Sequence, residues 1–128
     1  MDNKAYMQAL YLAFGQGNLD PMLAIMQDDT EWIEAEGGPY GGVYTGVEEI
    51  MTNVFGRIQQ DWQSFTVVPN QFIVDGDTVV VLGAYTATHN QTGRSFSSPF
   101  AHVWTLASGK LKRFQQFVDT HLHNQPLP

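Results

Sequence analysis

The sequence predicts an α+β fold in which helices come first and a meander of strands follows, closing into one curved antiparallel sheet that wraps around the helices. Three observations predict it. Up to Trp62 the apolar residues recur at helical spacing; from Phe65 onward short alternating runs are separated by Gly-containing turns; and Thr78 to Ala87 is apolar on both faces. On one face lie Val79, Val81 and Tyr85, on the other Val80, Leu82 and Ala84. A sheet covered by helices on one side only would leave that second face wet, so it is expected to pack on another copy of the chain.

The elements follow in order. Tyr6, Leu10, Ala13 and Phe14 mark the first helix, Lys4 to Phe14, which the glycines at 15 and 17 end. Asp20 as a cap and Pro21 in the first turn start a short second helix through Met26. Thr30 to Ala35 alternates as a strand, and Glu36 to Tyr44 is too rich in Gly and Pro to be regular, so it reads as a loop that could form a rim or lid. Thr45 and Glu48 have capping-box spacing, and Val47, Ile50, Met51, Val54, Phe55, Ile58 and Trp62 form the wide apolar stripe of a third helix. Strands are expected at Phe65 to Val74, Thr78 to His89, Ser95 to Leu106 and Leu111 to Asp119. Pro69 cannot donate to a ladder and is placed at an edge or a bulge.

Composition bounds the rest. A chain of 128 residues, 43% hydrophobic, supports one core, and residues 1–128 are read as a single domain. Thirteen acidic and six basic side chains give a formal charge of -7, which repels phosphate backbones and anionic lipid, so neither nucleic acid nor membrane is expected as a partner. With no cysteine there is no disulfide, thiolate metal site or Cys nucleophile. No signal-peptide pattern and no long apolar run are present, and a cytoplasmic location is the default expectation.

Candidate chemistry concentrates in the last hairpin. Strand alternation gives Phe100, His102, Trp104 and Leu106 one face, and Leu111, Arg113, Gln115, Phe117 and Asp119 one face of the partner strand. An imidazole and a carboxylate interleaved with aromatics read as a pocket wall, and counting outward from Ser108 and Gly109 brings His102 and Asp119 within a few residues of each other. The alternatives are a core histidine bonded to a carbonyl or to Asp119, and an Asp119 that caps a turn at the strand end. Trp32, Tyr85, Phe100, Trp104 and Phe117 are candidates to line an aromatic pocket. Glu34 and Glu36 border the Gly-rich loop, and Glu34 is either a solvated loop acid or a pocket group. His121 and His123, one residue apart in a polar tail, read as a surface pair without the further ligands a metal site needs. The Gly-rich loop lacks the Lys and Ser or Thr of a phosphate cradle.

Several stretches carry a family resemblance: Asp29-Thr30-Glu31-Trp32, Gly42-Val43-Tyr44-Thr45-Gly46, Glu49-Ile50, Phe100-Ala101-His102-Val103-Trp104, Gly109-Lys110-Leu111 and Phe117-Val118-Asp119-Thr120. Together they resemble the SnoaL-like, ketosteroid-isomerase-related branch of the nuclear transport factor 2-like superfamily. The resemblance implies a cone-shaped α+β barrel of cystatin-like type, with three N-terminal helices on one curved antiparallel sheet, a deep apolar pocket, and a homodimer through the outer sheet face. By likeness to the polyketide cyclases, Asp119 matches their general base and His102 its companion. By likeness to the steroid isomerases, Glu34 falls near the acid at the end of the first strand. The expected function is cofactor-independent proton abstraction, leading to isomerisation, cyclisation or dehydration, on an apolar ring-bearing substrate. The alternative is a non-catalytic module that holds a small apolar metabolite in the same pocket. Neither reading needs a metal or an organic cofactor.

Overall fold

Asp2 starts the first helix by accepting a hydrogen bond from the Ala5 N–H at 2.7 Å. In the structure, a computed structural model that describes residues 2–128, α1 runs Asn3–Gly15 and buries Met7, Leu10 and Tyr11. Its end is closed by Asn18 N–H donating to the Ala13 carbonyl, with Gly17 at φ 78°, a left-handed backbone position that suits glycine. The short α2 (Asp20–Leu23) follows, with Pro21 in its first turn; Leu19 rather than Asp20 is the cap. The third helix is α3 (Val47–Ile50), a π-helical turn (Met51–Phe55) and α4 (Gly56–Asp61) in unbroken succession. The capping box expected of Thr45 and Glu48 is not formed. Gly46 is the cap, and Glu49 accepts from the Thr45 N–H instead.

Six strands form one sheet in the order β2-β1-β6-β5-β4-β3: β1 (Glu31–Glu34), β2 (Gly42–Thr45), β3 (Trp62–Asp75), β4 (Thr78–His89), β5 (Ser95–Ala107) and β6 (Lys110–Val118). All neighbours are antiparallel except β1 and β6. The expected fold class is therefore the observed one. Three departures are local. The pairing of β1 with β6 is parallel, where a wholly antiparallel sheet is expected. Gly42–Thr45, read as part of a loop, pairs as β2 with β1, and the residues after Asp119, read as a tail, form α5 (Thr120–Asn124). Pro69 lies on the edge strand β3 beside a bulge between Pro69 and Gln71, where its missing N–H costs no ladder bond.

The last hairpin contains the most consequential irregularity. Thr105 pairs with Arg113 but Leu106 pairs with Leu111, so Lys112 is an extra residue in β6. A one-residue bulge moves every later side chain to the opposite face. Leu111 therefore points inward, as strand parity predicts, but beyond the bulge Phe114 and Gln116 are buried while Phe117 is 51% exposed. This corrects the expected pocket role of Phe117 and the expected pairing of Asp119 with His102. His102 sits opposite Gln116 in the ladder, and Asp119 is exposed at the end of the strand. There it accepts from the Leu122 N–H at 3.0 Å as the N-cap of α5, an interaction that stabilises by about 1 kcal/mol.

The inner sheet face and the helices enclose the core. The outer face carries Ile73, Val80 and Val103 in one cross-strand row, and Leu82, Ala101 and Phe117 in the next. Among the described residues, no helix is long and apolar enough to cross a membrane.

Candidate active site

The helices and the sheet leave between them a half-open cavity of about 100 Å³, lined almost wholly by apolar groups. That is of the order of the ~150 Å³ apolar void known to accept benzene, so the unaltered cavity suits a single ring. Trp32, Trp104 and Phe114 build one wall, with Trp32 stacked on Phe114 at a centroid distance of 3.8 Å. Leu10, Tyr11 and Phe14 come from α1, and Val54 and Phe55 come from the π-helical turn. A π turn adds a residue to the helical repeat and re-aims the side chains that follow it, here onto the cavity.

Into this apolar space the sheet directs a few polar groups. His102 lies at the centre of β5, 5% exposed, with Phe100 stacked on it at 3.9 Å. Its Nδ1 meets the Tyr11 hydroxyl at 2.6 Å and its Nε2 meets the Tyr85 hydroxyl. Trp104 Nε1–H donates to the Tyr11 oxygen at 2.8 Å, and Gln116 Nε2–H donates to the Tyr85 oxygen at 3.0 Å. Gln116 is itself fixed by the Ala35 N–H, which donates to its Oε1 at 3.1 Å. The result is a continuous chain from Trp104 through Tyr11, His102 and Tyr85 to Gln116.

Burial lowers the His102 pKa to about 3, so the ring is neutral at pH 7. A neutral imidazole has one N–H and one bare nitrogen. One tyrosine therefore donates to the ring while the other accepts from it. The accepting phenol keeps an O–H that no other member of the chain uses, in either tautomer. Burial also raises the pKa of both phenols, so neither ionises and that proton remains available as a hydrogen-bond donor.

Glu34 ends β1 on the same face as Trp32, whose Nε1–H donates to Glu34 Oε2 at 3.2 Å. The parallel pairing of Ile33 with Gln115 brings Glu34 level with Gln116 and near Tyr85, whose pKa its charge raises further. Glu34 is 4% exposed, and burial lifts its carboxyl from 4.5 to about 7, opposed by the single Trp32 bond. A carboxyl with a pKa near 7 and one phenol O–H that is not donated within the chain thus share a single apolar cavity.

Of the residues singled out in the sequence, Trp32, Glu34, Tyr85, His102 and Trp104 all line the cavity. Phe100 supports His102 from the side, and Asp119 and Phe117 stand outside. Tyr11, Gln116 and His123 line it unforeseen. For Tyr11 the signal was present, since it follows Met7 by four residues, but the stripe of Tyr6, Leu10, Ala13 and Phe14 shares only Leu10 with the buried set Met7, Leu10 and Tyr11. Gln116 was hidden by the bulge at Lys112. His123, read as a surface residue, is 2% exposed because the tail folds back as α5. Among the described residues no group of His, Asp or Glu could hold a metal ion.

Comparison with known proteins places this geometry in context. The profile of the SnoaL-like domain matches residues 7–114. A nuclear transport factor 2-like protein from Burkholderia thailandensis is 34% identical with a TM-score of 0.92, covering 98% of this chain and 96% of that one. Another nuclear transport factor 2-like protein, of unknown function, from Burkholderia pseudomallei is 27% identical with a TM-score of 0.88, covering 99% of this chain and 98% of that one. TerC, co-crystallised with polyporic acid, is 26% identical with a TM-score of 0.80, covering 94% of this chain and 97% of that one. No curated protein matches.

Proposed function

We propose, from the premise that this chain belongs to the SnoaL-like family, that it catalyses cofactor-independent proton abstraction next to a carbonyl on a small, ring-bearing, mostly apolar molecule. One observation carries the reading: Glu34, a buried carboxyl with a pKa near 7, faces the same apolar cavity as a phenol whose O–H is undonated. Ionised Glu34 takes a proton from the carbon next to the carbonyl. The C–H electron pair moves into the new C=C bond, and the carbonyl oxygen becomes an enolate that accepts the phenol hydrogen bond. Returning the proton from Glu34 to a different carbon completes an isomerisation; returning it to a β-hydroxyl, which then leaves as water as the enolate collapses, would complete a dehydration.

His102 orients rather than ionises in this scheme. It links the two phenols, so a shift of its tautomer exchanges which of them offers the free O–H. The relative co-crystallised with polyporic acid supports a ligand-holding cavity and so keeps a binding-only role as the second reading. Exchange separates the two. Deuterium from heavy water should enter the carbon next to the carbonyl across a panel of one-ring ketones faster than in protein-free buffer, as followed by NMR. No acceleration for any of them overturns the catalytic reading.

The same chain is proposed to work as a homodimer through its outer sheet face. Val68, Ile73 and Phe117 are each between 44% and 51% exposed there, an arrangement that an isolated chain would leave wet. Sedimentation at micromolar concentration should give twice the chain mass, and Phe117→Glu should return it to the monomer. A monomeric wild type would refute this.

A further inference from the structure

The cavity wall contains a second buried imidazole, and the proton-abstraction scheme does not use it. His123 is 2% exposed and lines the cavity from α5. Its ring stacks on Phe96 at 4.7 Å and 25°, with Trp62 at 5.7 Å and Phe65 at 6.0 Å. Among the described residues, neither ring nitrogen has a hydrogen-bond partner.

The contrast with His102 is informative. Both imidazoles flank Tyr85, at centroid distances of 5.7 Å for His102 and 6.4 Å for His123. The fold gives His102 a phenol on each nitrogen and gives His123 none. Burying a polar ring without partners costs stability, and a Phe at this position would stack on Phe96 without that cost. Burial keeps His123 neutral, with a pKa lowered to about 4, so it presents one donor and one acceptor. A hydroxyl is the group that can answer either nitrogen, since it both donates and accepts.

We infer that His123 is a ligand-anchoring residue that binds an oxygen substituent on the ring of the molecule in the cavity. The ligand class is then a hydroxylated aromatic ketone, with its carbonyl toward Glu34 and Tyr85 and its hydroxyl toward α5. The inference rests on the proposed carbonyl site for its second point of attachment. His123 positions the ring and takes no part in the proton transfer.

The probes are acetophenone and 4-hydroxyacetophenone, which differ by one hydroxyl opposite the carbonyl, with binding measured by calorimetry. Wild type should bind the hydroxylated compound about 10-fold more tightly, the worth of one good buried hydrogen bond. His123→Phe should bring the ratio close to one while keeping or raising the melting temperature. His123→Gln, which retains a donor and an acceptor, should recover part of the preference. A preference that survives in His123→Phe overturns the inference, as does its absence in wild type or a failure of wild type to bind either compound at millimolar concentration. Loss of folding in both variants would instead assign His123 to packing and likewise overturn it. Glu34→Gln separates this from the proposed reaction: it should lose deuterium exchange yet keep the hydroxyl preference, so either reading can fail while the other stands.

Discussion

Glu34→Gln should lower the rate of proton exchange by about 10³-fold, within the range attributed to one positioned proton-transfer group, while ligand affinity changes little. The amide keeps the size of the carboxyl and can still accept from Trp32 Nε1–H, so the cavity wall is preserved. The pH dependence follows from the same burial. With its carboxyl at about 7, wild type should gain activity as pH rises through 7, because only the ionised form is a base.

Stability should run the other way. The folded-state pKa of Glu34 is raised above its unfolded value of 4.5, so the contribution of the neutral carboxyl is fully present below about pH 4.5 and is lost as pH rises through about 7. At pH 8 this amounts to about 3 kcal/mol, and Glu34→Gln, which cannot ionise, should be more stable than wild type there by up to that amount. Slower exchange together with higher stability at pH 8 is the signature of a residue retained for chemistry. Reduced stability at every pH with unchanged exchange would identify Glu34 as structural and sink the assignment.

Gly83→Ala should lower stability by about 3 kcal/mol, the upper end of the usual cost of overpacking a core. Gly83 pairs with Pro69 on one side and Phe100 on the other. A Cβ there would come within 2.2 Å of the Val68 carbonyl oxygen and 2.5 Å of Phe100 Cζ. The carbonyl belongs to the backbone of a paired strand and cannot move without breaking the ladder beside the Pro69 bulge. Phe100 is equally constrained, because its ring stacks on His102. Thermal unfolding followed by circular dichroism should show a midpoint lower by roughly 10 °C for a chain of this length. Displacing Phe100 should also disturb the link from His102 to Tyr85, so exchange should slow in the fraction that remains folded. An unchanged midpoint would mean that the strands separate at this point without cost.

Much of the architecture was legible because it follows from local periodicity. The first three helices, the strands other than β2, the turns at Gly76, Gly93 and Gly109, the placing of Pro69 at an edge or a bulge and the inward face of Phe100, His102 and Trp104 need only neighbouring residues to predict. The wide apolar stripe from Val47 was likewise sufficient to place a third helix, although not to reveal the π turn within it.

The choice between carboxylates was made by the tertiary structure. Asp119 and Glu34 are both strand-end acids next to aromatics, and nothing local separates them. Parity along β6 depends on the bulge at Lys112, which forms through its pairing with β5, and that one extra residue turns Phe117 and Asp119 away from the cavity, where Asp119, just after the last ladder pair, caps α5. Glu34 is buried because β1 lies parallel to β6, a neighbour more than seventy residues away in the chain, and a pKa near 7 exists only where that burial exists. The sequence by itself put Glu34, His102 and Asp119 forward as candidates and determined the apolar inner face of Phe100, His102 and Trp104. Only the packed fold decided which carboxyl left water, since desolvation is a property of what lies around a group and not of the residues beside it in the chain.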